Sequence, residues 1–226
     1  MSRSVSLCFV VAIGWFQAAA PALAQSAPPA SVEAPSIKVG DMWTFDKTDG
    51  LKNVKDSTFV AVVTAVTDSE IRTDRTRTDN GAVTKVTRNK NFNLMVMETA
   101  NGKAIEDPFY PSFAFPLEIG KTWSGEVTRT RTYESDRKVV AKLTGKVVGW
   151  EKVTVPAGTF DTMKIEVKGF YNGQNLRGRW SGQTTDTIWY APAAKVAVKS
   201  LFEDVGATST YKNTELYELV SYRLVP

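Results

Sequence analysis

The chain has 226 residues, a net charge of +4, 42% hydrophobic and 11% aromatic residues, one cysteine and no histidine. Without histidine it lacks the usual general base near neutral pH and the commonest metal ligand, so Ser-His-Asp, Cys-His and His-zinc chemistries are excluded. Acid and base work would fall to Asp, Glu, Lys or Tyr, and so small a charge predicts no nucleic-acid partner.

Met1, Ser2 and Arg3 give a short positive start, Cys8 to Phe16 an apolar core, and Ala22-Leu23-Ala24 an A-x-A cleavage site. The core is shorter than the ~20 residues a bilayer requires, so residues 1–24 read as a secretory signal peptide rather than an anchor. Export to the periplasm or the exterior is the expectation. Removing Arg3 with the signal lowers the mature charge from +4 to +3. Cys8 is the only cysteine and falls inside the signal, so no disulfide, thiol nucleophile, lipid anchor or transmembrane segment is expected in the mature chain. Residues 25–36, QSAPPASVEAPS, have the composition of a flexible linker.

The rest, 37–226, reads as a β domain. Asp49-Gly50, Asn80-Gly81, Asn101-Gly102 and Asn172-Gly173 are hairpin-turn pairs between runs rich in Val, Thr and aromatic residues. Between them the period is two: Val139, Ala141, Leu143 and Val147 oppose Lys142, Thr144 and Lys146, and Met163, Ile165 and Val167 oppose Lys164, Glu166 and Lys168. The expected fold is all-β with little helix, a curved antiparallel sheet or half-barrels of about 10–11 strands. VGDMWTF at 39–45 and IGKTWSG at 119–125 share apolar-Gly-x-x-Trp-Thr/Ser. Either the domain is a duplicated half, 37–115 and 116–226, or two short strands are alike by chance. The Trp residues are expected as core anchors.

In EKVTVPAGTFDTMKIEVKG, at 151–169, Pro156 and Gly158 supply the fixed and the positive φ of a tight hairpin between long strands at 138–155 and 159–172. Thr159 is the only hydroxyl at the tip and has no histidine to activate it, so the segment reads as a turn rather than a catalytic loop. VPAGTFDTMKIE followed by TIWYAPAAKVAVKSLFED, with FPLEIGKTW at 115–123, resembles a family of secreted bacterial β-rich proteins of unknown function that carry a V-P-A-G-T-F hairpin and a W-Y-x-P segment. The likeness covers roughly 110–204. It implies a curved antiparallel sheet remotely similar to LolA-like lipoprotein carriers.

Two constellations are candidate binding sites. Arg75/Arg77, Arg129/Arg131 and Arg177/Arg179 each place two guanidiniums on one strand face. Either the three pairs line one anion-binding surface, or they belong to a solvated face partnered by Glu126, Glu134, Asp74 and Asp186. Phe109, Tyr110, Phe113 and Phe115, with Phe92, Leu94 and Val96, would either surround the mouth of a pocket for a lipid-like or amphipathic molecule or fill the core. Glu106-Asp107 and Glu203-Asp204 point to opposite faces and form no acid/base dyad; Asp68, Glu70, Asp74 and Asp79 lack calcium-loop spacing. No catalytic residue, metal or cofactor is assigned. The expected function is non-enzymatic binding of an apolar or amphipathic ligand or of an envelope protein. The alternatives are docking through a sheet edge or the Arg-rich face, and an enzyme using carboxylates or tyrosine.

Overall fold

The structure is a computed structural model and describes residues 29–226, apart from Ser209 and the side chain of Ser135. The expected signal peptide lies outside the described residues. Among them, twelve strands close a barrel: β2 (Met42–Asp49), β3 (Val54–Val66), β4 (Glu70–Arg77), β5 (Val83–Asn89), β6 (Leu94–Thr99), β7 (Gly102–Tyr110), β9 (Thr122–Arg131), β10 (Glu134–Val155), β11 (Gly158–Asn175), β12 (Gly178–Ala191), β13 (Val196–Gly206) and β14 (Lys212–Arg223). Each pairs antiparallel with the next, and β14 returns to pair with β2. An even number of strands lets such a meander close without a parallel pair or a free edge. The curved antiparallel architecture agrees with the sequence reading. Its closure and strand number go beyond the expected 10–11, because β14 meets β2 across the whole length of the chain.

A small second sheet pairs β1 (Ser31–Val32) with β8 (Leu117–Glu118). Part of the lead-in expected to be flexible is therefore held in place, with Val32 in the core and Pro29 O accepting a hydrogen bond from Trp150 Nε1 (3.2 Å).

The alternation sorts the two faces of the barrel. Leu143 pairs with Gly169 and Val147 with Ile165, so Leu143, Val147, Ile165 and Val167 face inward while Lys142, Lys146, Glu166 and Lys168 face out. That charged exterior is the reverse of the lipid-facing apolar band of a transmembrane barrel. At one end the inward side chains form a solid floor. Trp43, Leu117, Met163, Ile165, Tyr190, Val198 and Leu219 are fully buried there. Phe113 and Phe115 stack at 5.5 Å and both meet Tyr190 edge-on. Asn93 fixes this plug by donating to Phe113 O (2.9 Å) and accepting from Phe113 N (2.8 Å).

The VPAGTF hairpin belongs to the floor. Val155 pairs with Gly158 around Pro156 and Ala157, Ala157 N donates to Leu219 O (3.0 Å), and Val153, Val155 and Phe160 are buried. Gly158 has φ +129°, a conformation that side chains rarely adopt.

The two Trp-bearing segments build matching corners. Gly40 N donates to Val63 O and Gly120 N to Val147 O, both at 2.9 Å; Trp43 lies opposite Ala61 and Trp123 opposite Gly145. Each indole donates to a carbonyl at 2.8 Å, Trp43 to Ala194 and Trp123 to Pro111. Six strands follow from each corner.

Candidate functional site

Above the floor the same inward alternation carries polar and aromatic groups. On β12 the inward series runs from Tyr190 and Ile188 to Asp186, Thr184 and Trp180; on β13 it runs from Val198 and Ser200 to Phe202 and Asp204. These side chains do not fill the barrel, and a cavity of about 370 Å³ remains. Its aromatic walls are Tyr110, Tyr171, Trp180, Phe202 and Tyr211, and its charged groups are Glu106, Arg129, Arg137 and Asp204. Gly173 is required beside it, because a Cβ there would stand 2.1 Å from the indole of Trp180 on the next strand.

The charges of this cavity are coupled across strands. Glu106, 1% exposed, pairs with Arg129 Nε directly opposite on β9, while its second oxygen has no hydrogen-bond partner. Burial pushes the Glu106 carboxyl up against the pull of Arg129 and Arg131. Burial also opposes the Arg129 cation, but the Glu106 carboxylate outweighs it and holds the guanidinium pKa above its usual range. Tyr171 Oη donates to Asp204 (2.8 Å); burial raises the Asp204 carboxyl, and Tyr171, Arg129 and Arg137 counter it. Arg137 lies 5.2 Å over the Trp180 ring and shares Glu134 with Arg131, each at 3.1 Å. Asp186 has no hydrogen bond or ion pair among the described residues, and burial alone pushes its carboxyl up to about 7.

A second cavity of about 260 Å³ is lined by Phe59, Arg75, Arg77, Met97, Tyr217 and Lys47, among others. Ala104, the inward neighbour of Glu106 on β7, lines it, so the cavities adjoin along that strand. Lys47 bonds Glu215 (3.0 Å), Arg77 bonds Asp79 (2.7 Å), and Arg75 lies over the Phe59 ring at 3.9 Å.

The structure divides the predicted arginines. Arg75 and Arg77 on β4, and Arg129 and Arg131 on β9, all occupy inward positions, but β5, β6 and β7 lie between these strands. Arg177 lies in the turn before β12, and Arg179 takes the outward phase there opposite Gln174; both are exposed. The expectation that all three pairs line one surface is therefore corrected, because the third pair falls on the other side of the β12 alternation. Of the expected partners, Glu134 does hold Arg131, whereas Glu126 bonds Lys142 (3.7 Å).

The aromatic group is divided too. Tyr110 lines the larger cavity and Phe109 is half-buried, but Phe113 and Phe115, with Phe92, sit in the floor. Their expected place at a mouth is corrected: these three pack in the core and line neither cavity. Sequence reasoning missed Arg88, Glu106, Arg137, Tyr171, Trp180, Asp186 and Asp204 as lumen residues. Asp186 had a usable signal, because it shares the phase of Ile188 and Tyr190.

No protein-family model and no curated protein sequence matches the chain. Solved structures resemble it, two of them as follows. A chain described as a candidate lipoprotein from Parabacteroides distasonis has a TM-score of 0.54 and 15% identity, covering 85% of this chain and 99% of that one. An exported protein with a YmcC-like fold from Bacteroides fragilis has a TM-score of 0.52 and 17% identity, with the same coverage. At such identities the likeness concerns the fold, so the chain is an all-β barrel similar to YmcC-like exported proteins and lipoproteins.

Proposed function

We propose that the protein is an exported, non-enzymatic binding protein whose barrel lumen takes an amphipathic small molecule. The observation that carries this reading is the unfilled cavity above the floor. Its volume of about 370 Å³ lies within the ~300–1,000 Å³ of small-molecule sites, and it combines aromatic walls with a few fixed charges. Rings would hold the apolar body and the Glu106–Arg129 and Tyr171–Asp204 pairs its polar part. Export is supported by the signal-like start and by the descriptions of the two fold relatives, although one of those is described as a lipoprotein. This chain has no cysteine after Cys8 to accept a lipid.

So small a cavity suits one small molecule rather than the several acyl chains of a lipidated protein, which narrows the LolA-like expectation. Docking by strand addition has less support, because the barrel leaves no open edge among its described strands. Native mass spectrometry of protein purified from its own envelope, followed by lipid extraction, tests the reading. A bound species of small-molecule mass is expected. Repeatedly ligand-free protein, with no Trp fluorescence response to a panel of amphiphiles, would overturn it.

A further inference from the structure

We infer that Arg75 and Arg88 form an anion-binding station in the lumen, and that the polar end of the ligand is a phosphate or a carboxylate. This rests on the reading of the lumen as a small-molecule site and adds its chemistry. Arg75 on β4 and Arg88 on β5 belong to adjacent antiparallel strands; the register sets Ile71 opposite Arg88, Thr73 opposite Val86 and Arg75 opposite Thr84. Arg75 lines the smaller cavity; Arg88, opposite the buried Ile71, shares its inward phase beyond the cavity wall and lies over the Phe92 ring at 4.9 Å. Stacking on Phe59 and Phe92 takes up the flat faces of the two guanidiniums and leaves their N–H edges for an acceptor.

Neither guanidinium has a carboxylate within ion-pair distance among the described residues. The contrast with Arg72, Arg77, Arg129, Arg131 and Arg137 is direct, since each of those holds Glu or Asp. The nearest compensation for Arg75 is Tyr217, with Glu215 acting at longer range; Glu215 already takes Lys47 and the Tyr217 hydroxyl. Arg88 has no such partner, and its burial and the proximity of Arg75 bring its pKa down only to about 9, so it stays charged at neutral pH. The lone carboxylate Asp186 can shed its charge by protonation; Arg88 cannot. On the inward face between them, the buried Thr73 hydroxyl also lacks a partner. Two enclosed cations, with an unused donor between them on the same inward face, call for an anion with several acceptor oxygens.

Calorimetric titrations with decyl phosphate, decyltrimethylammonium and inorganic phosphate test this in wild type, in Arg75→Met/Arg88→Met and in the exposed control Arg177→Met/Arg179→Met. Decyl phosphate should bind wild type and the control alike and lose about tenfold or more in the lumen variant. Inorganic phosphate binding with the same dependence would identify a free anion as the ligand; a requirement for the decyl chain would identify a headgroup. Equal binding of decyl phosphate by wild type and the lumen variant overturns the inference, as does binding of the ammonium amphiphile alone, and both leave the lumen reading standing. If neither amphiphile nor phosphate binds, both readings fall. Methionine replaces an uncompensated enclosed charge with an apolar chain, so the variant should fold with an unchanged or raised Tm. Wild type alone supplies a further check: decyl phosphate should raise its Tm above that with decyltrimethylammonium at equal concentration and ionic strength. An equal or smaller rise with decyl phosphate would overturn the proposal.

Discussion

The inward face of β12 changes character within a few residues: Tyr190 and Ile188 are sealed in the floor, Asp186 is a carboxylate with no ion pair among the described residues, and Thr184 and Trp180 line the cavity. Other strands also pass from sealed to cavity-lining residues, from Val147 and Leu143 to Ala141 and Val139 on β10, and from Ile71 to Arg75 and Arg77 on β4. One alternation thus builds two regions with different work. The floor removes apolar area from water and closes the barrel. The upper lumen gives up that burial for charges and open volume, so stability should concentrate at one end and recognition at the other.

The largest effect should come from the floor. Ile165→Ala, at a position with no solvent exposure, is expected to lower unfolding free energy by about 2–5 kcal/mol in urea denaturation. A loss no greater than that of a surface substitution would mean that the floor is not the stabilising region.

Glu106→Ala should cost less, about 1–3 kcal/mol. It strands Arg129, but water in the open lumen screens the cation left behind. It should also weaken amphiphile binding, which Ile165→Ala should not do while the protein remains folded; the same titration on both variants decides this.

Gly158→Val should cost about 1–2 kcal/mol through its positive φ alone, since no heavy atom lies within 4 Å of a Cβ placed there. Ligand preference should stay as in wild type, because the hairpin closes the floor and lies away from the cavity. Unchanged thermal stability would show that the tip accommodates the side chain by relaxing.

The last effect is expected for Asp186→Asn and concerns the slope of stability with pH rather than its size at one pH. The folded-state pKa of about 7 stands above the ordinary 3.8, so between these values the folded state binds more protons and stability falls as pH rises. That contribution is fully present below about pH 4 and lost as pH passes 7. Asparagine should flatten this slope and raise stability at pH 7.5; a parallel pH profile for wild type and variant would remove Asp186 from the account.

Much of the fold was legible because β-strands alternate with a period of two. Lys142, Leu143, Lys146 and Val147 sort themselves by polarity, and Pro156 and Gly158 announce a turn whatever surrounds them. The arginine pairs show where this rule stops. Arg75 and Arg77 share a face in any strand, and so do Arg177 and Arg179, but charge alone would assign both pairs to the outside. The first pair points in because Ile71 and Thr73 share its phase; the second misses the lumen because Trp180 and Gly182 take the inward phase of β12.

The amino-acid sequence by itself determined an all-β chain with a signal-like start, no histidine chemistry, two similar Trp-bearing segments and the hairpin at 151–169, since each depends on local composition and spacing. Only the tertiary structure decided that β14 meets β2, that Glu106 meets Arg129, that Phe113 and Phe115 plug the floor, and that Arg75 and Arg88 face the interior with no ion pair among the described residues. The physical reason is closure. Which groups face one another across a barrel depends on strand number, register and bulges summed around the whole ring, and no local stretch of sequence contains that sum.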